Sequence, residues 1–238
     1  MSVHFVEVSK GLKICFFHSL SQSRKRVIIY SHANAIDIGF CAMTMEPLGD
    51  ALDTDYIYYD YEGYGCSGGA PHSYNLPRDL RAVYNYARTL YKGSAIYLAG
   101  ESIGSVPTCA VAHQLYEEYA RNKEKGLNPE VPLAGIIIHA GLYSAASFPC
   151  GCLIRHKDPY NNAEMLKGVA CPVFHIHGTE DETVPFKWGS KLYNVTKSKF
   201  EPWWVEGAGH VDIIQLHREE YIERMRSFFT FCEAPASS

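Results

Sequence analysis

Short runs of β-branched and aromatic residues recur along this chain, separated by stretches long enough to form helices. The runs are Val27-Ile28-Ile29-Tyr30, Tyr56-Ile57-Tyr58-Tyr59, Ala95-Ile96-Tyr97-Leu98-Ala99, Gly135-Ile136-Ile137-Ile138, Pro172-Val173-Phe174-His175-Ile176 and Trp203-Trp204-Val205. A continuous apolar run suits a strand buried on both faces. Between the runs, residues 42–52 are helix-sized, Leu80, Val83, Ala87 and Leu90 share one helical stripe, and a helix is expected to reach about Arg121. A last helix places Tyr221, Met225, Phe228 and Phe229 on one face. Two earlier segments, 3–8 and 12–17, read as an antiparallel hairpin turning at Gly11. This alternation predicts an α/β fold: a mostly parallel sheet of about eight strands with helices on both faces. In such sheets the chemistry sits on loops at the carboxyl ends of strands.

Composition narrows the functional classes. At 238 residues and 47% hydrophobic, the chain buries a large core without disulfides or metal, and one domain over 1–238 with a short tail at 233–238 is expected. A net charge of -4 with mixed Lys and Arg argues against a nucleic-acid surface. Apolar runs such as 134–138 fall far below the roughly 20 residues of a membrane helix, and residues 1–5 lack a signal-peptide pattern. A cytoplasmic protein with no transmembrane segment is expected, contact with a membrane surface being left open. Its eight cysteines then read as free thiols, Cys15, Cys109 and Cys171 lying on or beside apolar stretches. Cys150-Gly151-Cys152 reads more readily as two loop thiols than as a metal or acylation site.

The run ending at Ala99 leads directly into Gly100-Glu101-Ser102-Ile103-Gly104. A sharp strand-to-helix turn exposes a serine hydroxyl, but the pattern alone is common, and a serine needs a base to become a nucleophile. His210, in Gly207-Ala208-Gly209-His210-Val211-Asp212, follows the last strand and supplies a general base, although it is one of 11 histidines. Asp181, in His177-Gly178-Thr179-Glu180-Asp181-Glu182, follows the strand before it, with Glu180 and Glu182 as rivals for orienting the imidazole. The order serine, acid, histidine on successive strand ends is that of α/β-hydrolases and selects Asp181. An oxyanion hole is then expected from the N–H of Ile103 and from that of Asn34, with Ala33 as the alternative.

Ser31-His32-Ala33-Asn34-Ala35, Asp60-Tyr61-Glu62-Gly63-Tyr64-Gly65, Ser102-Ile103-Gly104-Ser105-Val106-Pro107 and Trp204-Val205-Glu206-Gly207-Ala208-Gly209-His210 together resemble the α/β-hydrolase branch of Bem46-like serine hydrolases. That branch includes the α/β-hydrolase-domain depalmitoylases, and the resemblance runs from about Val27 to Phe229. It implies the same catalytic roles for Ser102, Asp181 and His210. Ala33 stands where the family carries glycine. Nothing before Cys15 resembles the N-terminal cysteine cluster that anchors the depalmitoylases.

Between Ala140 and Cys171 there is room for a minimal lid only, with a small helix near 161–166. Leu142, Phe148 and the pair Ala145-Ala146 are candidates for an acyl pocket, with core packing an equal alternative. His175 and His177 alternate on a strand without an evident third ligand, so neither a metal nor a cofactor is expected. Asp60 and Gly63-Tyr64-Gly65 read as loop architecture, and Asp212 either orients the His210 loop or starts the last helix. The expected function is a serine hydrolase, a carboxylesterase or thioesterase, acting on small-molecule esters or thioesters or on acylated proteins. Two alternatives stand beside it: a peptidase of the prolyl-oligopeptidase type, and a catalytically silent α/β-hydrolase that binds a partner.

Overall fold

The computed structural model describes residues 3–21, 23, 25–144, 158 and 160–234. Eight strands form one sheet: β1 (Val3–Ser9), β2 (Leu12–Ser19), β3 (Val27–Ser31), β4 (Asp55–Tyr59), β5 (Ile96–Glu101), β6 (Gly135–His139), β7 (Val173–Gly178) and β8 (Trp203–Val205). Their spatial order is β1-β2-β4-β3-β5-β6-β7-β8. The hairpin strand β2 joins β4 antiparallel, and every pairing from β4 onward is parallel. Among the described residues the α-helices are α1 (Ile38–Leu52), α2 (Leu76–Arg88), α3 (Ser105–Glu124), α4 (Asn162–Leu166), α5 (Phe186–Val195), α6 (Ile213–Leu216) and α7 (Arg218–Glu233).

Strands β3, β4, β6 and β7 are buried along their whole length because helices cover both faces, whereas Trp204 in the edge strand β8 is half-buried. Strand residues divide with period two: Val27, Ile29, Ile57, Leu98 and Ile138 face a core completed by α2, α3, α4 and α5. Ile28, Tyr30, Tyr58, Tyr97 and Ile137 face a second core under α1 and α7. Strand β1, at the sheet edge, alternates between exposed and half-buried residues instead.

Several boundaries differ from the sequence expectation. Helix α1 starts at Ile38, four residues early, because the Asp37 carboxylate accepts the Phe40 N–H at 3.0 Å and caps it. Helix α2 stops at Arg88, which leaves Leu90 off its stripe and 55% exposed. Helix α3 continues through Glu124, three residues past the expected end at Arg121. Helices α5 and α6 escape pattern reading: both are short, and α5 carries Gly189 at its middle. The six described cysteines are free thiols, four of them buried. Phe148, Ala145, Ala146, Cys150, Cys152 and tail residues 235–238 lie outside the described residues.

Candidate active site

At the end of β5 the chain turns into α3 through one tight turn over Ser102–Gly104. Ser102 takes φ 54°, the left-handed region, which costs a non-glycine residue about 1–3 kcal/mol. The surrounding contacts hold it there. A Cβ on Gly104 would stand 2.0 Å from the Ser31 carbonyl oxygen, and one on Gly100 would stand 2.3 Å from the Gly104 carbonyl oxygen. Neither position accepts a side chain, so the two glycines let β3, β5 and the turn approach closely. Inside the turn, the buried Ser105 hydroxyl donates to the Ser102 carbonyl at 2.6 Å. Ser105 Oγ in turn accepts the Leu142 N–H at 3.1 Å and an N–H of Asn162 Nδ2 at 3.0 Å.

The structure brings Ser102, His210 and Asp181 together from three strand ends. His210 Nδ1 lies 2.7 Å from Asp181 Oδ2, and His210 Nε2 lies 3.0 Å from Ser102 Oγ. Asp181 Oδ1 accepts the Thr183 and Val184 N–H groups at 2.9 and 2.8 Å. Burial works against ionisation of Asp181, but hydrogen bonds from His177, His210 and the Val184 N–H outweigh it and hold its carboxyl well below the usual range. An ionised carboxylate only accepts hydrogen bonds. Nδ1 of His210 therefore carries the proton, and Nε2 presents its lone pair to the Ser102 hydroxyl. Glu180 and Glu182, the rival acids, are exposed.

His177 belongs to this loop rather than to a metal site. Its Nε2 donates to the Val184 carbonyl at 2.8 Å and stands 3.3 Å from Asp181 Oδ2. His175, two residues earlier, contacts the Thr196 hydroxyl at 3.0 Å, and burial lowers its pKa to about 3. Among the described residues, no group of three His, Cys, Asp or Glu side chains converges as a metal site. Asp212 orients the His210 loop, its carboxylate accepting the Gly209 N–H at 2.9 Å, but it precedes the short α6 and not the last helix, α7, which starts at Arg218.

A cavity of about 440 Å³ opens over Ser102 and is lined by Asn34, Ile103, Leu142, Tyr64 and Tyr160 among others. Both expected oxyanion donors thus border the space beside the serine, as does Leu142. Tyr64 donates to Asn34 Oδ1 at 2.8 Å and steadies the loop after β3. Beneath that loop, His32 is buried, with Nδ1 2.8 Å from the Ala33 carbonyl, and burial lowers its pKa. Burial also raises Asp60 to about 6, although its carboxylate accepts the Ile38 N–H at 3.0 Å. Asp79, at the cavity wall, is raised to about 7 by burial and accepts the Glu62 N–H at 2.9 Å. The Ser105–Asn162 link and the His177 support were missed from sequence, because a lone Ser, Asn or His carries no pattern until its partner is placed.

No protein-family model matches the chain. It is 34% identical over 225 residues to α/β hydrolase domain-containing protein 17B of Homo sapiens, covering 92% of this chain and 72% of that protein. Among solved structures, ferulic-acid-bound Est1E from Butyrivibrio proteoclasticus superposes with a TM-score of 0.71 at 16% identity, covering 98% of this chain and 100% of that one. The esterase RhEst1 from Rhodococcus sp. ECU1013 gives 0.66 at 15% identity, with 97% and 99% coverage. These structural likenesses carry the fold, which is that of the α/β-hydrolases.

Proposed function

The chain belongs to the family of α/β hydrolase domain-containing protein 17, and from that premise we propose a serine hydrolase that cleaves carboxylic esters or thioesters through an acyl-enzyme. In this mechanism His210 Nε2 takes the proton from Ser102 Oγ as the oxygen attacks the substrate carbonyl. Asp181 holds the imidazole in the required tautomer and stabilises the imidazolium that forms. The N–H groups of Ile103 and Asn34 receive the oxyanion, each such donor contributing about 3–4 kcal/mol to the barrier reduction. His210 then passes its proton to the departing alcohol or thiol, and a water activated in the same way releases the acyl group. Acyl-protein thioesters fall within this substrate class.

The observation that carries this proposal is the unbroken chain of contacts from Asp181 through His210 to Ser102, at 2.7 and 3.0 Å. A fluorophosphonate probe at neutral pH is expected to label the wild type and to leave Ser102→Ala unlabelled. Unlabelled folded wild type, or equal labelling of the variant, would overturn the mechanism. A p-nitrophenyl ester series set beside a peptide-amide substrate separates esterase from peptidase, with turnover expected on the esters. A silent binding protein would turn over neither.

A further inference from the structure

A second cavity, of about 300 Å³, meets the first at Asn34, which lines both. Its walls are mostly apolar, from Tyr30, Ile36, Phe40, Met45 and Ile214, and it includes one carboxylate, Glu101. Glu101 immediately precedes Ser102, and Val211, which follows His210, also borders this space. The groove therefore touches the chain on each side of the proposed nucleophile and base.

The Glu101 carboxyl has no Lys or Arg partner among the described residues. Its Oε2 accepts a hydrogen bond from the Tyr30 hydroxyl, a neutral donor. His139, paired with Glu101 across β5 and β6, is buried, and that burial lowers its pKa and favours the neutral ring. A carboxylate against apolar walls is costly unless a cation meets it. A primary ammonium brings three donors that each require an acceptor; besides Glu101 and Tyr30 the polar side chains lining the space are Thr44, Gln215 and Asn34, and Asn34 Oδ1 already accepts the Tyr64 hydroxyl. A quaternary ammonium brings charge with no donors, and its methyl groups suit apolar and aromatic surfaces. Tyr30 and Phe40, both aromatic, line the same space, and an aromatic ring attracts a cation.

We propose that this groove is a subsite for a quaternary ammonium group on the substrate, held by the Glu101 carboxylate and the Tyr30 and Phe40 rings. As a substrate subsite it rests on Ser102 being the nucleophile, because its place beside the reaction comes from its contact with residues flanking Ser102 and His210.

The test compares ligands of one shape and different charge. In calorimetric titration of the wild type, choline is expected to bind at least about tenfold more tightly than 3,3-dimethylbutan-1-ol, its neutral carbon isostere. Glu101→Gln keeps the side-chain size and a partner for Tyr30, and should remove that preference. Phe40→Leu keeps the charge and should reduce the preference severalfold. The same order is expected in kcat/KM for acetylcholine against 3,3-dimethylbutyl acetate. Equal binding of choline and the neutral alcohol by wild type overturns the subsite, as does an undiminished preference in folded Glu101→Gln. If Ser102 is not the nucleophile, neither ester is hydrolysed in a Ser102-dependent way. The calorimetry still decides whether the groove binds the cation.

Discussion

The turn carrying Ser102 and the loop carrying Asp181 lie at the same edge of the sheet but are held by different forces. The serine turn is steric: backbone atoms crowd Gly100 and Gly104 to within 2.3 Å of any added Cβ, and Ser102 is pressed into a left-handed conformation. The aspartate loop is electrostatic: two backbone N–H groups and two imidazoles surround one buried carboxylate. A steric turn tolerates no added volume at its contact points, whatever the pH. An electrostatic loop tolerates isosteric change but depends on charge. The comparison explains why one element is a recognisable sequence pattern and the other is a single acidic residue among several.

Four substitutions or conditions test this difference, beginning with the largest effect. Asp181→Asn should leave the loop's shape nearly intact while letting His210 adopt the wrong tautomer. Steady-state ester kinetics should then show kcat lower by about 10⁴, with near-wild-type circular dichroism. Gly104→Ala should act on the fold instead, because its Cβ meets the Ser31 backbone oxygen at 2.0 Å. Chemical denaturation should show a loss of about 4 kcal/mol or more, in the range that marks a broken backbone contact. A loss below about 1 kcal/mol would mean that the turn relaxes and is not sterically set.

Ser105→Ala probes the turn's polar support, since it orphans the Leu142 N–H and one Asn162 donor. A stability loss of about 1–3 kcal/mol is expected from those unsatisfied groups. If the Ser105 hydroxyl also positions Ser102, kcat falls by about tenfold with little change in KM.

The smallest expected effect is the acid dependence of stability. The Asp181 carboxyl is held below its ordinary value of 3.8, so its stabilisation is present above that pH and is lost as pH falls through the folded value. Denaturation curves for wild type and Asp181→Asn should therefore converge as pH drops below about 4. Gly104→Ala should lie below wild type by a constant amount. Parallel curves for Asp181→Asn would break the electrostatic account of the loop.

Much of the sheet is legible in the sequence. Runs such as 27–30 and 135–138 read as buried strands, and the strand–Gly-x-Ser-x-Gly–helix succession located Ser102. The helices were less legible at their ends. Asp37 capping extends α1 to Ile38, and Leu90 lies beyond the end of α2, because termini follow local hydrogen bonds more than apolar spacing. His175 and His177 look alike in sequence, with i,i+2 spacing on one strand. Only their surroundings distinguish a hydroxyl contact at Thr196 from support of the Asp181 loop.

Local chemistry in the chain decided which elements form and the order in which serine, acid and base appear, because period-two burial and strand-end turns depend on near neighbours. Tertiary packing decided the rest. The Ser105–Asn162 bridge spans 57 positions of sequence, and the Ser102–His210 contact spans 108. The groove at Glu101 gathers residues from β3, α1, β5 and the segment after His210. Such contacts arise only when distant strand ends are brought to one edge of a folded sheet, and no local pattern in the chain encodes that proximity.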